Sequence, residues 1–274
     1  MNIKNLENTN IETLVDCFFK AFENYFVPIP NDRTFWKKRW QLSKVDYRFS
    51  YGMFDNEKLV GFIINAIDKR NGELIAFNTG TGVLPAYRGQ RIVQAIYNFA
   101  LKEFKQHGIV KCSLEVIKEN SIAIKAYQSI GFSIQKEYKC YKGEISLDSD
   151  AEIEVREVNY NQIDWNTILN QALYSWDNHS SVLKNGDYKY FYVLNKQKPE
   201  SYFVLNTSNK YLAQWDVFTK DDAIWKRLFL GIKQTSKFIK INNIDNSLTH
   251  KIAHLNAIGL ENTINQYEME LKIK

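Results

Sequence analysis

Residues 82 to 93 read GVLPAYRGQRIV, a stretch built for an anion. Arg88 and Arg91 bring positive charge, and Gly89 lets a ligand come close to the backbone. Gln90, Ile92 and Val93 fall where a strand ending at Pro85 gives way to the first turn of a helix. The opening amides of a helix have no acceptor within it, and the helix dipole adds partial positive charge at the same place. Such a turn is suited to a diphosphate. The plain alternative is a strand-to-helix turn that binds nothing.

The turn needs a strand before it and a helix after it, and both are legible. Glu73 to Leu84 reads as a strand, and from Arg91 to Gln106 the apolar Ile92, Val93, Ile96, Phe99, Ala100 and Phe104 recur at helical steps until Gly108. Val110 to Val116 is a strand, Ser121 to Ile130 a helix closed by Gly131, and Ser133 to Ile145 a further strand. Upstream come a short strand at residues 2 to 7 and an amphipathic helix from Ile11 to Tyr25, ended by Pro28 and Pro30. A second helix, capped by Asn31 or Asp32, runs through Phe35, Trp36 and Trp40, whose aromatic face is either core or the wall of a cleft. Tyr47 to Phe54 and Lys58 to Ile67 complete an antiparallel meander. Strands followed by alternating helix and strand define an α+β (mixed α/β) fold with a parallel crossover.

With 274 residues, 45% of them hydrophobic, and 17 Phe, 16 Tyr and 6 Trp, the chain folds, and its length suits two domains. A net charge of +5, left from 36 basic and 31 acidic residues without a basic block, gives no sign of a nucleic-acid partner. Three cysteines (Cys17, Cys112, Cys140) in no paired spacing, and only four histidines, suggest neither a disulfide framework nor a metal site. The N-terminus lacks a signal pattern and no apolar run approaches the ~18 residues of a membrane span, so a soluble cytoplasmic protein with no membrane partner is expected. Nothing here sets the oligomeric state.

The pattern V-x-P-x-x-R-G at Val83, Pro85, Arg88 and Gly89, then L-E-V at residues 114 to 116, then N-x-x-A-x-x-x-Y-x-x-x-G-F from Asn120 to Phe132, resembles the GNAT superfamily of acyl-CoA-dependent N-acyltransferases. The resemblance is strongest over residues 81 to 132, and the flanks from residue 2 to 145 fit the family's fold. It implies acetyl-CoA as cosubstrate, lying where two parallel strands splay apart. The pantetheine would meet the backbone at Thr81 and Val83, and the diphosphate would meet Arg88, Gly89, Gln90, Arg91, Ile92 and Val93. Two positions depart from the pattern: Arg91 stands where a glycine is usual, and Val93 where glycine or alanine is usual. Arg91 is expected to open the helix, its amide still available and its side chain adding charge. The same resemblance makes Tyr127 the acid that protonates the departing thiolate and Glu115 the base that frees the amine. Each has an ordinary reading, a core aromatic and a structural or solvated carboxylate, and water-relayed proton removal would not need Glu115. Asn120 would pair with pantetheine or with backbone where the strands part, and is also a good helix cap. Glu73 and Glu119 read as surface charges, and His107 as a helix C-terminal residue.

The polar stretch LDSDAE at residues 147 to 152 marks a boundary between domains 1–146 and 151–274. Beyond it the reading is a strand Val155 to Val158, a helix Ile163 to Trp176, an aromatic loop-rich region to Tyr192, and strands Tyr202 to Leu205 and Tyr211 to Phe218. A helix from Asp221 to Thr235, a strand Phe238 to Ile241, a helix Leu248 to Ala257 and a strand Thr263 to Lys272 follow. This order repeats the end of the first half: an ungapped shift of 128 residues sets Gly131 on Gly259 and Phe132 on Leu260, yet Tyr127 on Leu255 and Glu115 on Asn243. Asp221 and Asp222 would neutralise the helix start that matches the phosphate turn. Two tandem GNAT-like domains, each a mixed, mostly antiparallel sheet flanked by helices, are therefore expected, the second without CoA. A single unrelated α+β domain is the alternative.

The activity this implies is acetyl transfer from acetyl-CoA to a primary amine of a small molecule or peptide. The competing readings are an acyl-CoA-binding module without catalysis and an acetyltransferase of protein or peptide N-termini. The aromatic run from Trp176 to Tyr192 and the tyrosine of FENYFVPI, at 22 to 29, would line an acceptor cleft or pack as core.

Overall fold

The computed structural model describes residues 1–149, 152–219 and 221–273; Asp150 and Ala151 of LDSDAE lie outside the described residues. In chain order the first elements are β1 (Asn2–Asn5), α1 (Ile11–Ala21), α2 (Arg33–Leu42), β2 (Tyr51–Asp55), β3 (Lys58–Arg70), β4 (Glu73–Val83), α3 (Ile92–Gln106), β5 (Ile109–Ile117) and α4 (Ser121–Ile130). Then come β6 (Ser133–Glu144), β7 (Glu154–Val158), α5 (Ser180–Leu183), β8 (Lys189–Asn195), β9 (Lys198–Asn206), β10 (Tyr211–Val217), α6 (Asp222–Thr235), β11 (Phe238–Asp245), α7 (Thr249–Ala257) and β12 (Glu261–Lys272). Contacts divide the chain into two compact units, Met1–Lys136 with Tyr267–Lys274, and Glu137–Gln266.

In the first unit, β1 through β4 form an antiparallel meander and β5 joins β4 in parallel after the α3 crossover. Asn10 starts α1 by accepting from the Glu12 amide at 2.9 Å, and Asp32 starts α2 by accepting from Thr34 and Phe35. Leu14, Val15, Cys17, Phe18 and Ala21 of α1 and Trp36 and Trp40 of α2 are buried, so the two tryptophans of α2 are core while Phe35 is exposed. Trp40 is fully enclosed and the Trp36 indole donates to Pro30 O at 2.8 Å.

The strand beside β5 is not the one that follows α4 in sequence. Residues 267–272 of β12 take that place, with Ile273 N donating to Val110 O at 2.8 Å and Lys111 paired to Glu270 at 2.6 Å. Met269 and Leu271 enter this unit's core. Grouped by contacts, the unit runs to Lys136 and takes in the last strand of the chain.

The second unit orders β7-β8-β9-β10 antiparallel, sets β11 parallel to β10, and pairs β6 antiparallel to β11. Its core is built around α6, with Trp225, Leu228, Phe229 and Ile232 buried against Phe203, Leu212 and Ile241. The helix expected at Ile163 to Trp176 does not form. Asp164 folds its carboxylate onto the Asn166 amide at 3.1 Å, Asn170 adopts a left-handed φ of 65°, and Gln171 to Leu173 make one 3-10 turn. Asp and Asn side chains compete with helical backbone bonds in this way. The region read as loop gives way at Lys189 to the β8/β9 hairpin, whose turn at Lys196 and Gln197 has positive φ at both residues, as a type I′ turn requires.

Candidate active site

The parallel ladder between β4 and β5 ends at Asn78↔Leu114, while β4 runs on to Val83 paired with β3 alone. A bulge at Thr79 marks the parting. Leu84 N donates to Val60 O at 2.9 Å, toward β3. Because backbone groups alternate along an antiparallel pair, Gly82 faces β3 as well, whereas Thr81 and Val83 turn theirs to the side that β5 has left. Gly82 is required here: a Cβ would lie 2.6 Å from the Phe62 ring and 2.8 Å from Ala21 Cβ.

Beyond β4, Pro85–Tyr87 form a 3-10 turn, Arg88 to Arg91 are exposed, and Gly89 has a φ of 79°. The first backbone bond of α3 runs from Ala95 N to Arg91 O at 3.0 Å, so the amides of Ile92, Val93 and Gln94 precede the intrahelical ladder. No acidic residue sits in the first turn of α3 and no side chain caps it. Two details differ from the sequence reading. Arg91 is not the first helical residue; it caps the helix in the left-handed region, φ 55° and ψ 27°. That backbone accounts for a glycine at this position in the family pattern, since an L side chain there costs about 1–2 kcal/mol. Arg88 does not reach outward: its guanidinium donates to Ala21 O at 2.9 Å and to Val83 O at 3.4 Å, tying the end of α1 to the end of β4.

Tyr127 projects from α4 into the core, 8% exposed, with its ring edge-on to Phe132 and Tyr97 at 5.8 and 6.4 Å. Its hydroxyl meets the Thr81 side chain. Burial pushes the Tyr127 phenol up to about 12; the bond to Thr81 opposes the shift, and the proximity of Tyr25 and Cys112 adds to it. Such a phenol is a proton donor at any ordinary pH. Thr81 Oγ1 in turn donates to Asn78 Oδ1 at 2.9 Å, and Asn78 Nδ2 to Asn65 Oδ1 at 3.3 Å. Asn65 Nδ2 ends the relay on the Phe49 carbonyl at 2.6 Å. Burial also raises the Cys112 thiol, which keeps it from serving as a nucleophilic thiolate.

Asn120 caps α4 by accepting from Ala123 N at 3.1 Å, and it also meets the Tyr25 phenol. Tyr25 stands in the segment after α1, edge-on to Phe22 and Phe26 at 5.0 and 5.5 Å. The same residues line an open hollow with Phe19, Glu23 and Ile29. Glu115 is half-buried on β5, on the opposite strand face from the buried Leu114 and Val116. Tyr127 keeps company with Cys112, which shares the face of Leu114, so Glu115 and Tyr127 approach β5 from opposite sides. Glu73 and Glu119 are exposed, and His107 caps the end of α3 with Nδ1 2.8 Å from Glu103 O. Tyr97 and Asn78 went unnoticed in the sequence; the signal available was an asparagine inside an apolar strand.

In the second unit the matching parallel strands, β10 and β11, also part early, with Tyr211↔Lys240 their one registered pair among the described residues. Here the gap is occupied. The Tyr174 hydroxyl and the Lys251 ammonium donate to Trp215 O at 3.0 and 2.6 Å, and Asn178 Nδ2 donates to Asn242 O at 2.9 Å. The cavity that remains is about 10 Å³, room for at most one water. Lys251 also pairs with Asp216 at 2.9 Å, both groups buried. Burial works against the Lys251 charge, and Tyr174 and Asp216 outweigh it, leaving the ammonium above its ordinary range. At the start of α6, Asp221 accepts from Ala223 N at 2.8 Å and Asp222 occupies the first turn.

Residues 11–132 match the acetyltransferase (GNAT) family. The match covers this segment of the chain, and the fold of the whole chain is that of solved tandem GNAT structures. It is 28% identical over 90 residues, 33% of its length, to a mycothiol acetyltransferase of Corynebacterium glutamicum. It is 29% identical over 143 residues, 47% of its length, to an uncharacterized N-acetyltransferase of Methanocaldococcus jannaschii. These matches span 30% and 59% of the two relatives. Among solved structures, a tandem GNAT protein from the clavulanic acid biosynthesis pathway superposes with a TM-score of 0.72 at 11% identity, covering 100% of this chain and 98% of that one. A GCN5-related N-acetyltransferase from Sphaerobacter thermophilus gives 0.68 at 8% identity, covering 100% and 96%. Among the described residues no helix is long and apolar enough to cross a membrane.

Proposed function

We propose that the first unit is an acetyl-CoA-dependent N-acetyltransferase acting on a primary amine of a small molecule or peptide. The observation that carries this reading is the convergence of an open β4 edge at Thr81 and Val83 with the Tyr127 phenol at Thr81. Pantetheine pairs with that edge, and the diphosphate rests on the exposed turn Arg88 to Arg91 and the free amides at Ile92 and Val93. Arg88 serves there by holding the turn, and Arg91 by its charge. Asn120 fixes the start of α4 and the Tyr25 phenol beside the donor.

The acceptor amine attacks the thioester carbonyl, forming the C–N bond as the C–S bond breaks. The amine proton passes to Glu115 directly or through water, and Tyr127 gives its proton to the departing CoA sulfur, later recovering one from solvent. Acceptor and donor then reach β5 from the two sides on which Glu115 and Tyr127 lie. The hollow beside Tyr25 and Phe26 receives the acceptor, its aromatic walls favouring an amine on an apolar or ring-bearing body. The second unit binds no CoA, its wedge filled by Tyr174, Asn178 and Lys251 and its helix start neutralised by Asp221 and Asp222.

The test is thiol release from acetyl-CoA over a panel of small amines, polyamines, aminoglycosides and peptides, alongside calorimetric titration with acetyl-CoA. One acetyl-CoA per chain and acceptor-dependent thiol release are expected. Binding with no release across the panel would leave an acyl-CoA-binding module, and absence of binding would sink the reading.

A further inference from the structure

Two histidines of the second unit lie one turn apart on α7, which puts His250 and His254 on one face of that helix. Their Nε2 atoms are 3.1 Å apart. Asp222, in the first turn of α6, brings Oδ1 to 3.6 Å from His254 Nε2 and 3.9 Å from His250 Nε2. One carboxylate and two imidazoles thus aim three ligand atoms at a common point, all within 4.8 Å of one another.

We infer that Asp222, His250 and His254 form a binding site for a divalent transition metal of the zinc type. The spacing is what carries the inference. Nitrogens that each sit about 2.0–2.1 Å from one ion at angles between octahedral and tetrahedral are separated by roughly 2.9–3.4 Å, and the observed separation of 3.1 Å falls in that interval. The Asp222 side chain is 86% exposed, so a small rotation closes the remaining few tenths of an ångström without disturbing any packing. The imidazoles are held in place. Trp225, three residues after Asp222 on α6, stacks on His254 with centroids 4.8 Å apart and planes at 19°, and meets His250 edge-on at 5.6 Å.

Two nitrogens and one oxygen suit zinc, cobalt, nickel or copper over magnesium or calcium, which take all-oxygen sites. Three protein ligands leave at least one position to water. The ion would clip the start of α6 to α7 inside the second unit, far in sequence from Tyr127 and Thr81, so this inference stands apart from the proposed acetyl transfer. The i, i+4 spacing of the two histidines is visible in the sequence, whereas the aspartate stands 28 residues ahead of the first, beyond any local motif.

The experiment uses full-length, tag-free protein treated with EDTA and then titrated with ZnCl2 by calorimetry and with CoCl2 by visible absorption. One ion per chain is expected, with cobalt d–d bands of a low-coordinate site and a metal-dependent rise in melting temperature. His250→Ala and His254→Ala should each weaken zinc binding at least tenfold and Asp222→Asn several-fold, while His107→Ala and His179→Ala leave it unchanged. Far-UV circular dichroism of the EDTA-treated variants checks that they fold; His254→Gln, which keeps bulk over Trp225, replaces any alanine variant that does not. Zinc binding unaffected by the double variant His250→Gln/His254→Gln, or no stoichiometric binding in the parent protein, would overturn the assignment.

Discussion

Thr81 donates its hydroxyl hydrogen to Asn78 Oδ1 across 2.9 Å, the end of a run of bonds whose direction is set at the Phe49 carbonyl. The Phe49 carbonyl can only accept, so Asn65 must present Nδ2 to it, which leaves Asn65 Oδ1 to take Asn78 Nδ2 and Asn78 Oδ1 to take Thr81. Having spent its one hydrogen, Thr81 meets Tyr127 only as an acceptor. The Tyr127 phenol therefore points its proton at Thr81, where the strands part.

If Tyr127 delivers its proton to the sulfur, Tyr127→Phe should lower kcat by about 10²–10⁴-fold while changing acetyl-CoA affinity little. Single-turnover kinetics and calorimetry on the same preparation separate the two. A variant that retains most of the parent kcat would remove the tyrosine from the mechanism.

The pH dependence carries a sign. Burial has raised the Tyr127 phenol to about 12, so its neutral, donating form persists across the working range. No descending limb of kcat assignable to this group should appear below about pH 10, its ordinary value. For stability, a tyrosine whose folded pKa exceeds its unfolded one contributes fully below pH 10 and loses that contribution as pH climbs toward 12. A kcat profile from pH 6 to 10 that falls in Tyr127-containing protein and not in Tyr127→Phe would contradict this assignment.

Arg91 separates backbone from charge. Arg91→Gly removes the side chain from a left-handed residue and should stabilise the protein by roughly 0.5–1.5 kcal/mol, read from urea midpoints. The same change should weaken acetyl-CoA binding, more at low salt than at high salt, because an exposed charge acts through screened attraction. Stabilisation with unchanged affinity would strip Arg91 of a ligand role.

The first unit depends on the end of the chain. A fragment of residues 1–146 keeps every motif but loses the strand at 267–272, exposing the β5 edge and removing Met269 and Leu271 from the core. It should be insoluble or unable to bind acetyl-CoA, and Leu271→Asp in the full chain should destabilise it by about 2–5 kcal/mol. A soluble, acetyl-CoA-binding fragment would show that the last strand is dispensable.

What could be read from the sequence follows from how locally each feature is encoded. α4 was bounded at Ser121 and Ile130 because an asparagine cap and a glycine stop lie inside the same dozen residues. The strand partner of β5 could not be read, since Lys111 and Glu270 are joined by the fold and not by the sequence. The hairpin turn at Lys196 and Gln197 carries none of the Asn-Gly signals that mark its backbone type, and the helix expected at 163 to 176 was apolar enough in pattern but broken by Asp164 and Asn170. Tyr127 was legible as a candidate by its spacing. The relay behind it, Thr81 to Asn78 to Asn65, required three residues of two strands to be seen side by side.

Lys251 tests why the second wedge is closed. Its ammonium is enclosed by Asp216, the Tyr174 hydroxyl and Trp215 O, so Lys251→Met leaves the Asp216 carboxylate buried without its cation. Asn170 Nδ2 and the Val217 amide still donate to that carboxylate, at 3.1 and 2.9 Å, and soften the loss without cancelling the charge. The single variant should be destabilised by about 3–5 kcal/mol, and Lys251→Met with Asp216→Leu should recover a good part of it, since two apolar groups need no partner. Neither should add a second acetyl-CoA to the chain, because Asp221 and Asp222 still occupy the start of α6. Unfolding midpoints for the two variants check the coupling, and calorimetric stoichiometry checks the count. A second acetyl-CoA bound by the double variant would mean that the buried pair, rather than the acidic helix start, is what closes this half to the cosubstrate.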